Sequence, residues 1–545
     1  MLRKSFYKTI FAVLLVFVLS SAALALSPHD AISKRPSESL YVVLSMSDLG
    51  GLLQEIFSPA NAALFKPFME PEQAQGVDLV TGFASQIPAN NVVIAAGITT
   101  DMMPFAQAAA LMPASVRAKL DRVADGSATG ADIVTLLMGD AALMFAGLIA
   151  PELKTGEKGP YYSLQDQVVF AAKDDLLLIA STPAELEASI GALEKKENRL
   201  GFKRRFDSSN YLLMHLDFLS FADIIKALGG EALDKAMIDP FKALKAPLEL
   251  EYALTPKPGS YLVSSALNTM DALADTESLK NIKPKKGGGL LMVGGGKLLF
   301  AISSPLLFKA DDYKEYPEFV KVWEQIIKGL EAFGISESDV IAMLNGFISL
   351  SLGSDATVMG KNVPGGFVTL TGQEGMAAKI LENLVSNPLF SASVPISQLK
   401  VNGWDTLYTL NQEIVPIPVL FGVMKDTLFL GFVDSDALGK KPQTSPEVTK
   451  MLDNSLIGAG VIDTGAIWNR LRQETSDPAS LLSLVPGIEE AKGILDELLK
   501  ADLSIPLIKI WAPDMETSYT ELSLANVPEE KQLLPRLINL AQMFK

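Results

Sequence analysis

The chain is predicted to be an α+β protein made of two tandem, divergent copies of an antiparallel sheet-plus-helices module. Three observations lead there. Period-two apolar runs alternate with helix-period segments, without the regular strand–helix–strand crossovers that build a parallel sheet. Landmarks recur in one order in the two halves of the 545 residues. The chain is 48% apolar and has no cysteine, so a core alone must hold each module, for which roughly 230 residues suffice.

Arg3, Lys4 and Lys8 precede the apolar run Ile10 to Leu19, and Ala23-Leu24-Ala25 follows it, the layout of a secretory signal over residues 1–25. Cleavage there predicts a mature chain in the periplasm or outside the cell, opening on a tail over 26–37. No later stretch reaches the ~20 apolar residues of a membrane span, so no transmembrane segment is expected in the mature chain.

Copy one, 38–270, is expected to place strands at Leu40 to Met46, Asn91 to Thr99, Ala142 to Ile149, Gln167 to Ala172 and Leu176 to Ser181, then at Tyr211 to Leu216, Leu248 to Leu254 and Ser260 to Leu267. Its helices are expected at Leu49 to Phe57, Pro104 to Ala124, Ala131 to Met138, Pro183 to Lys195 and Ser220 to Leu228. Lys173-Asp174-Asp175, between two apolar runs, reads as a tight hairpin turn. The polar stretch 271–286 is the linker. Copy two, 287–527, replaces the helix-rich insert Leu49 to Asn90 with Leu290 to Ser303, where Gly294 to Gly296 should turn a direct hairpin. It gains a strand and a helix over Gly366 to Val385, and a strand is expected at Leu399 to Val401. Residues 528–545 read as a C-terminal amphipathic helix with Leu533, Leu534, Leu537, Ile538 and Leu540 as its apolar stripe.

Four matches relate the copies. Ala131 to Gly147 resembles Ser338 to Gly353. Gln167 to Ala180 resembles Val419 to Phe432, with Lys173-Asp174 on Lys425-Asp426. Tyr211 to Ile225 answers Leu456 to Leu471, with Asp217 on Asp463. Pro247 to Asn268 parallels Pro506 to Asn526, with Ser260-Tyr261 on Ser518-Tyr519. At Asp48, Asp217 and Asp463 a strand runs into an aspartate and a helix begins just after it, where a carboxylate can cap unpaired N–H groups and face the positive end of the dipole.

A formal net charge of -16 should repel nucleic acid and anionic lipid surfaces unless a local basic patch intervenes, so no nucleic-acid partner is expected. The cationic clusters Lys203-Arg204-Arg205 and Lys283 with Lys285-Lys286 are short and lack interleaved aromatics, as in solvated turns. Without cysteine there is no disulfide, thiol nucleophile or thiolate metal site. Two histidines cannot form a three-histidine site: His29 lies in the tail, and His215 shares a strand face with Asp217, an arrangement that can orient a general base but has no counterpart in copy two. Ser397-x-x-Lys400, Ser208-Ser209-Asn210 and Lys154-Thr155-Gly156 match the short motifs of penicillin-binding proteins and serine β-lactamases in inverted order. Gly287 to Gly296 fails the spacing of a phosphate loop and sits between expected strands. The acidic pairs Asp174-Asp175, Asp311-Asp312 and Glu529-Glu530 fall at turns and helix starts. No catalytic, cofactor-binding or metal-binding residue is assigned, and no cofactor is expected.

The signal segment, the Lys-Asp hairpins followed by helical segments (Thr182 to Ile190, Asp434 to Gly439) and the strand-to-aspartate-to-helix junctions resemble those of uncharacterised bacterial secreted proteins with repeated strand–turn–strand–helix modules, a domain-of-unknown-function type. The resemblance covers most of the mature chain and implies no catalytic residues. The expected function is a secreted, non-enzymatic binding protein for an envelope partner or an apolar, lipid-like ligand; a hydrolase with paired carboxylates and a structural or assembly protein of the envelope are the alternatives.

Overall fold

The computed structural model describes residues 39–46, 92–99, 104–112, 117–118, 121–122, 152–164, 168–195, 206, 212–217, 248–257, 260–273, 276–280, 282–308, 317–358, 360–411, 417–476 and 507–523. They show a mixed α/β protein, mostly antiparallel sheet with few helices. The chain divides into two compact units, Met1–Lys257 with Leu262–Asp275 and Pro258–Tyr261 with Thr276–Lys545.

The first unit contains β1 (Ser39–Met46), β2 (Val92–Thr99), β3 (Pro104–Leu111), β4 (Glu152–Gly156), β5 (Gly159–Leu164), β6 (Val168–Lys173), β7 (Leu176–Ala180), α1 (Pro183–Lys195), β8 (Leu212–Asp217), β9 (Glu249–Lys257) and β10 (Ser260–Leu267). Strands pair in the order β9–β8–β1–β2–β3–β7–β6–β5–β4, antiparallel throughout, and β10 joins β9. The alternation of the sequence explains the layer: Val43, Val93, Ala109, Leu178 and Val169 point to one face and bury Leu186, Ile190 and Leu193 of α1. β7 is buried along its whole length, as its unbroken apolar run Leu176 to Ala180 requires of a strand covered on both faces.

Pro104 to Leu111 is strand, not helix. Alanine favours helix only by propensity, whereas here β2 and β7 pair with both edges of the segment, and small side chains let Ala108, Ala109 and Ala110 be fully buried between two covered faces. The expected elements Leu49 to Phe57, Ala131 to Met138, Ala142 to Ile149, Ser220 to Leu228 and 528–545 lie outside the described residues, as do the signal segment and the tail. The expected linker carries α2 (Thr269–Ala272) across its start, α3 (Glu277–Lys280) and β11 (Lys285–Lys286), the last paired with β19 (Ser455–Leu456).

The second unit contains β12 (Phe300–Leu306), α4 (Pro317–Glu331), α5 (Glu337–Leu344), β13 (Gly346–Val358), β14 (Lys361–Thr371), α6 (Met376–Ser386), α7 (Pro388–Ser393), β15 (Ile396–Leu399), β16 (Thr406–Leu410), β17 (Val419–Met424), β18 (Thr427–Phe432), α8 (Pro446–Leu452), β20 (Gly458–Ile462), α9 (Thr464–Ser476), β21 (Leu507–Ala512) and β22 (Thr517–Ser523). Its strands pair antiparallel in the order β22–β21–β20–β12–β13–β14–β18–β17–β16–β15. Strand for strand, this is the pairing order of the first unit.

Register sharpens the comparison. Asp217 and Asp463 stand at the same place in the two networks, because Leu44 pairs with Met214 and Ile302 with Gly460, three residues before each aspartate. The hairpin match is one residue out. The two-residue turns are Asp174-Asp175 and Lys425-Asp426, so Asp174 stands at the place of Lys425, and both have a left-handed φ, 51° and 55°. β13 pairs with β12 and β14 as β2 pairs with β1 and β3, so its place in the pairing order is that of Val92–Thr99, while Ala131 to Gly147, the sequence match of Ser338 to Gly353, lies outside the described residues. Likewise β14 takes the place of β3, so the strand of Gly366 to Val385 is no gain of the second unit.

The direct hairpin at Leu290 to Ser303 does not form. Gly287–Gly289 makes a 3₁₀ turn and Leu290 to Leu299 crosses one face of the sheet as a strap. Leu290 and Met292 pack with Ala301, Ala459 and Val461, while Leu291 and Val293 pack with Phe367, Leu420 and Phe429. A Cβ at Gly288 would stand 2.8 Å from the backbone N of Ala459, and its φ is 64°, so close approach and backbone conformation both call for glycine.

Candidate functional site

The strap decides which face of the second sheet is buried. β13 reads Phe347-Ile348-Ser349-Leu350-Ser351-Leu352, and period-two reasoning places its leucines inside. The reverse holds: Ser303, Ser349 and Ser351 are buried under the strap and the leucines face out. A glycine-rich segment lying close on a sheet needs small side chains beneath it, and serine supplies both the size and a hydroxyl that must be satisfied there. Ser303 Oγ donates to Gly288 O, and Ser349 Oγ lies 2.5 Å from Thr369 Oγ1.

On the outer face one row of paired residues, Ile302, Leu350, Val368, Leu430, Phe421 and Tyr408, crosses six strands. The row at the same place in the first unit is Leu44, Ile94, Ala108, Ile179, Phe170 and Tyr162. Both end in a stacked tyrosine–phenylalanine pair, Tyr162–Phe170 at 5.1 Å and Tyr408–Phe421 at 5.6 Å. Their burial is opposite. Ile94, Ala108 and Ile179 are each 6% exposed, whereas Leu350, Val368 and Leu430 are 43%, 38% and 58% exposed. Among the described residues, every exposed large apolar side chain except Leu153 belongs to the second unit.

The exposed face is shaped as a trough along β14. Gly366 and Val368 form its floor, Leu350 and Leu352 on β13 one wall, and Leu430 and Phe432 on β18 the other. The cavity measures about 480 Å³, within the range of small-molecule sites, and its lining is almost wholly apolar. One end is closed: Leu370 and Leu428, next along the same strands, pack under Met343 of α5 and Ala377 and Leu381 of α6. At the side, Phe390 of α7 meets Phe421 edge-on at 6.2 Å.

No family model, curated protein or solved structure matches the chain.

Three titratable groups of the second unit have clear structural partners. Asp339 is nearly buried and completes a capping box on α5, its carboxylate accepting from Ser336 N at 3.1 Å and from Lys379 Nζ at 2.7 Å. These hydrogen bonds, that from Lys379 foremost, hold its carboxyl below the ordinary value against the opposing effect of burial. Lys509 is buried between Glu521 at 3.0 Å and Glu447 at 3.2 Å. Lys285 lies 4.8 Å from the centre of the Phe347 ring, and burial lowers its pKa. Among the described residues no group of three or more His, Asp or Glu could hold a metal ion.

The sequence-stated candidates are dispersed. His215 pairs in register with Val43 and Glu251, and Asp217 with Glu249. Asp463 caps α9, its carboxylate accepting from Ala466 N at 2.7 Å. Ser397 lies on β15 and does not open a helix, Lys154-Thr155-Gly156 lies in β4, and Ser208-Ser209-Asn210, Asp48 and His29 lie outside the described residues. The trough residues escaped the sequence reading because nothing local tells which face of an Ile-Ser-Leu-Ser-Leu strand is covered. The signal that marks them is the serine series opposite a glycine-rich segment.

Proposed function

We propose that the chain is a secreted, non-enzymatic binding protein of the cell envelope whose second unit holds an apolar ligand in the trough along β14. One observation carries the reading: a row that is buried in the first unit is open in the second, over an apolar cavity of about 480 Å³. Soluble proteins seldom leave a contiguous apolar face of this kind without a use for it. The shared pairing order and the matched aromatic pairs support descent of the units from one duplicated module, with binding confined to the copy that left this face open. The basic, apolar and small-residue segments of 1–25 support export.

Fluorescence titration with the uncharged apolar probe N-phenyl-1-naphthylamine tests the reading. The native chain should bind it, Leu430→Lys and Val368→Lys should weaken binding at least tenfold, and Val322→Lys on α4, an equally exposed apolar site away from the lining, should leave it unchanged. Binding that ignores the trough variants, or no binding at all, refutes it.

A further inference from the structure

We infer that Asn402 is a site of covalent self-modification, where the chain converts its Asn402-Gly403 link into aspartyl and isoaspartyl forms. The sequence has two Asn-Gly pairs, Asn345-Gly346 and Asn402-Gly403. A glycine after asparagine leaves the following N–H without a side chain to shield it, so a five-membered ring can close onto it. Sequence treats the two pairs alike. Their surroundings in the fold separate them.

Asn345 ends α5, and its side-chain amide is held on both sides. Oδ1 accepts from Phe308 N at 2.8 Å, while Nδ2 donates to Phe308 O at 2.9 Å and to Ile341 O at 3.0 Å. Gly346 opens β13 in register with Leu306, and a Cβ there would stand on the carbonyl oxygen of Thr371. Turning the Asn345 side chain onto Gly346 N would break three hydrogen bonds at a packed position. Asn402 has the opposite setting. It lies in the exposed turn Val401–Trp404 between β15 and β16, closed by Trp404 N donating to Val401 O at 3.2 Å. Gly403 has φ of 87° and open space where a Cβ would stand. Among the described residues nothing bonds the Asn402 amide, and no carbonyl accepts from Gly403 N.

The chemistry needs only water and hydroxide. Hydroxide takes the proton of Gly403 N, the nitrogen attacks Asn402 Cγ, and Nδ2 leaves as ammonia with a proton from water, which closes a cyclic imide. Water then opens the ring. Addition at Cγ breaks the new N–C bond and leaves an aspartate, whereas addition at the backbone carbonyl carbon leaves the chain running through Cβ and Cγ as isoaspartate. Both products add one negative charge. The isoaspartyl form also adds a carbon to the backbone between two anchors, because Val401 and Trp404 pack with Phe367, Leu407, Leu420 and Phe429, Trp404 meeting Phe429 edge-on at 4.9 Å. A longer turn cannot keep both anchors seated, so the modified chain is less stable.

Peptide mapping by mass spectrometry, on the full chain aged at mildly alkaline pH, tests the inference. Asn402 should gain one mass unit in two separable forms, at least tenfold faster than Asn345 does. In concentrated urea the two rates should become similar, since the fold no longer separates the pairs. Gly403→Ala should slow conversion at Asn402 at least tenfold; Asn402→Gln, which keeps the turn glycine and lengthens the ring to be closed, should do the same and guards against misfolding of the first variant. The aged native chain should melt below the fresh one, and Asn402→Gln aged in parallel should lose less. Equal rates at the two asparagines in the folded chain, conversion confined to Asn345, or an aged chain with Asn402 intact overturns the inference.

Discussion

Two residues at the same place in their hairpins adopt a conformation that their side chains disfavour. Lys425, with φ of 55°, has its backbone N–H fixed by Asp405 Oδ2 at 2.5 Å, so the turn holds a left-handed backbone that glycine would accept freely. Lys425→Gly is expected to stabilise the protein by about 0.5–1 kcal/mol, seen as a raised urea midpoint at unchanged slope. Asp339 makes the opposite case, a side chain that suits its place. Its folded pKa is depressed, so its contribution is complete above the ordinary carboxylate value and is lost as pH falls through the lowered one. Asp339→Asn should therefore cost on the order of 1 kcal/mol at neutral pH, and the gap from the native chain should close as pH drops below the ordinary carboxylate range. The aspartate before α9 was readable from sequence because a cap is a local device. The left-handed turn residue was misplaced by one position because Lys-Asp and Asp-Asp look alike until the pairing counts them.

Strands and helices differ in how far their neighbours override them. α1 and β10 form over the residues their patterns indicate, Pro183–Lys195 and Ser260–Leu267, since each carries a clear period and clear stops. β3 does not follow its alanines, because edge pairing on both sides outweighs a propensity difference of a few tenths of a kcal/mol per residue. The strap goes furthest from its local signal. Three glycines in a row suggest a turn, but what they allow is contact with the sheet. Gly288→Ala should cost about 2 kcal/mol, through a φ of 64° and the close approach to Ala459, and differential scanning calorimetry should show the loss. If the strap were a loosely held loop, the substitution would be nearly neutral.

At the scale of the molecule, equivalent places in the two units should respond oppositely to the same substitution. Ile94→Lys places a charge in a closed row and should cost about 4 kcal/mol or more, while Leu350→Lys should stay within about 0.5 kcal/mol of the native chain. Chemical denaturation of the two variants checks this; similar losses in both would mean that the outer face of the second unit is covered after all. The sequence by itself determined the α+β class, most described strands, the acidic cap at Asp463 and the absence of thiol chemistry, because these depend on residue type and on patterns within a dozen positions. Only the tertiary structure decided which face of each sheet is buried. A strand with apolar and small polar residues alternating can be covered on either side, and here a distant glycine-rich strap takes the serine side and leaves the leucines to form the trough.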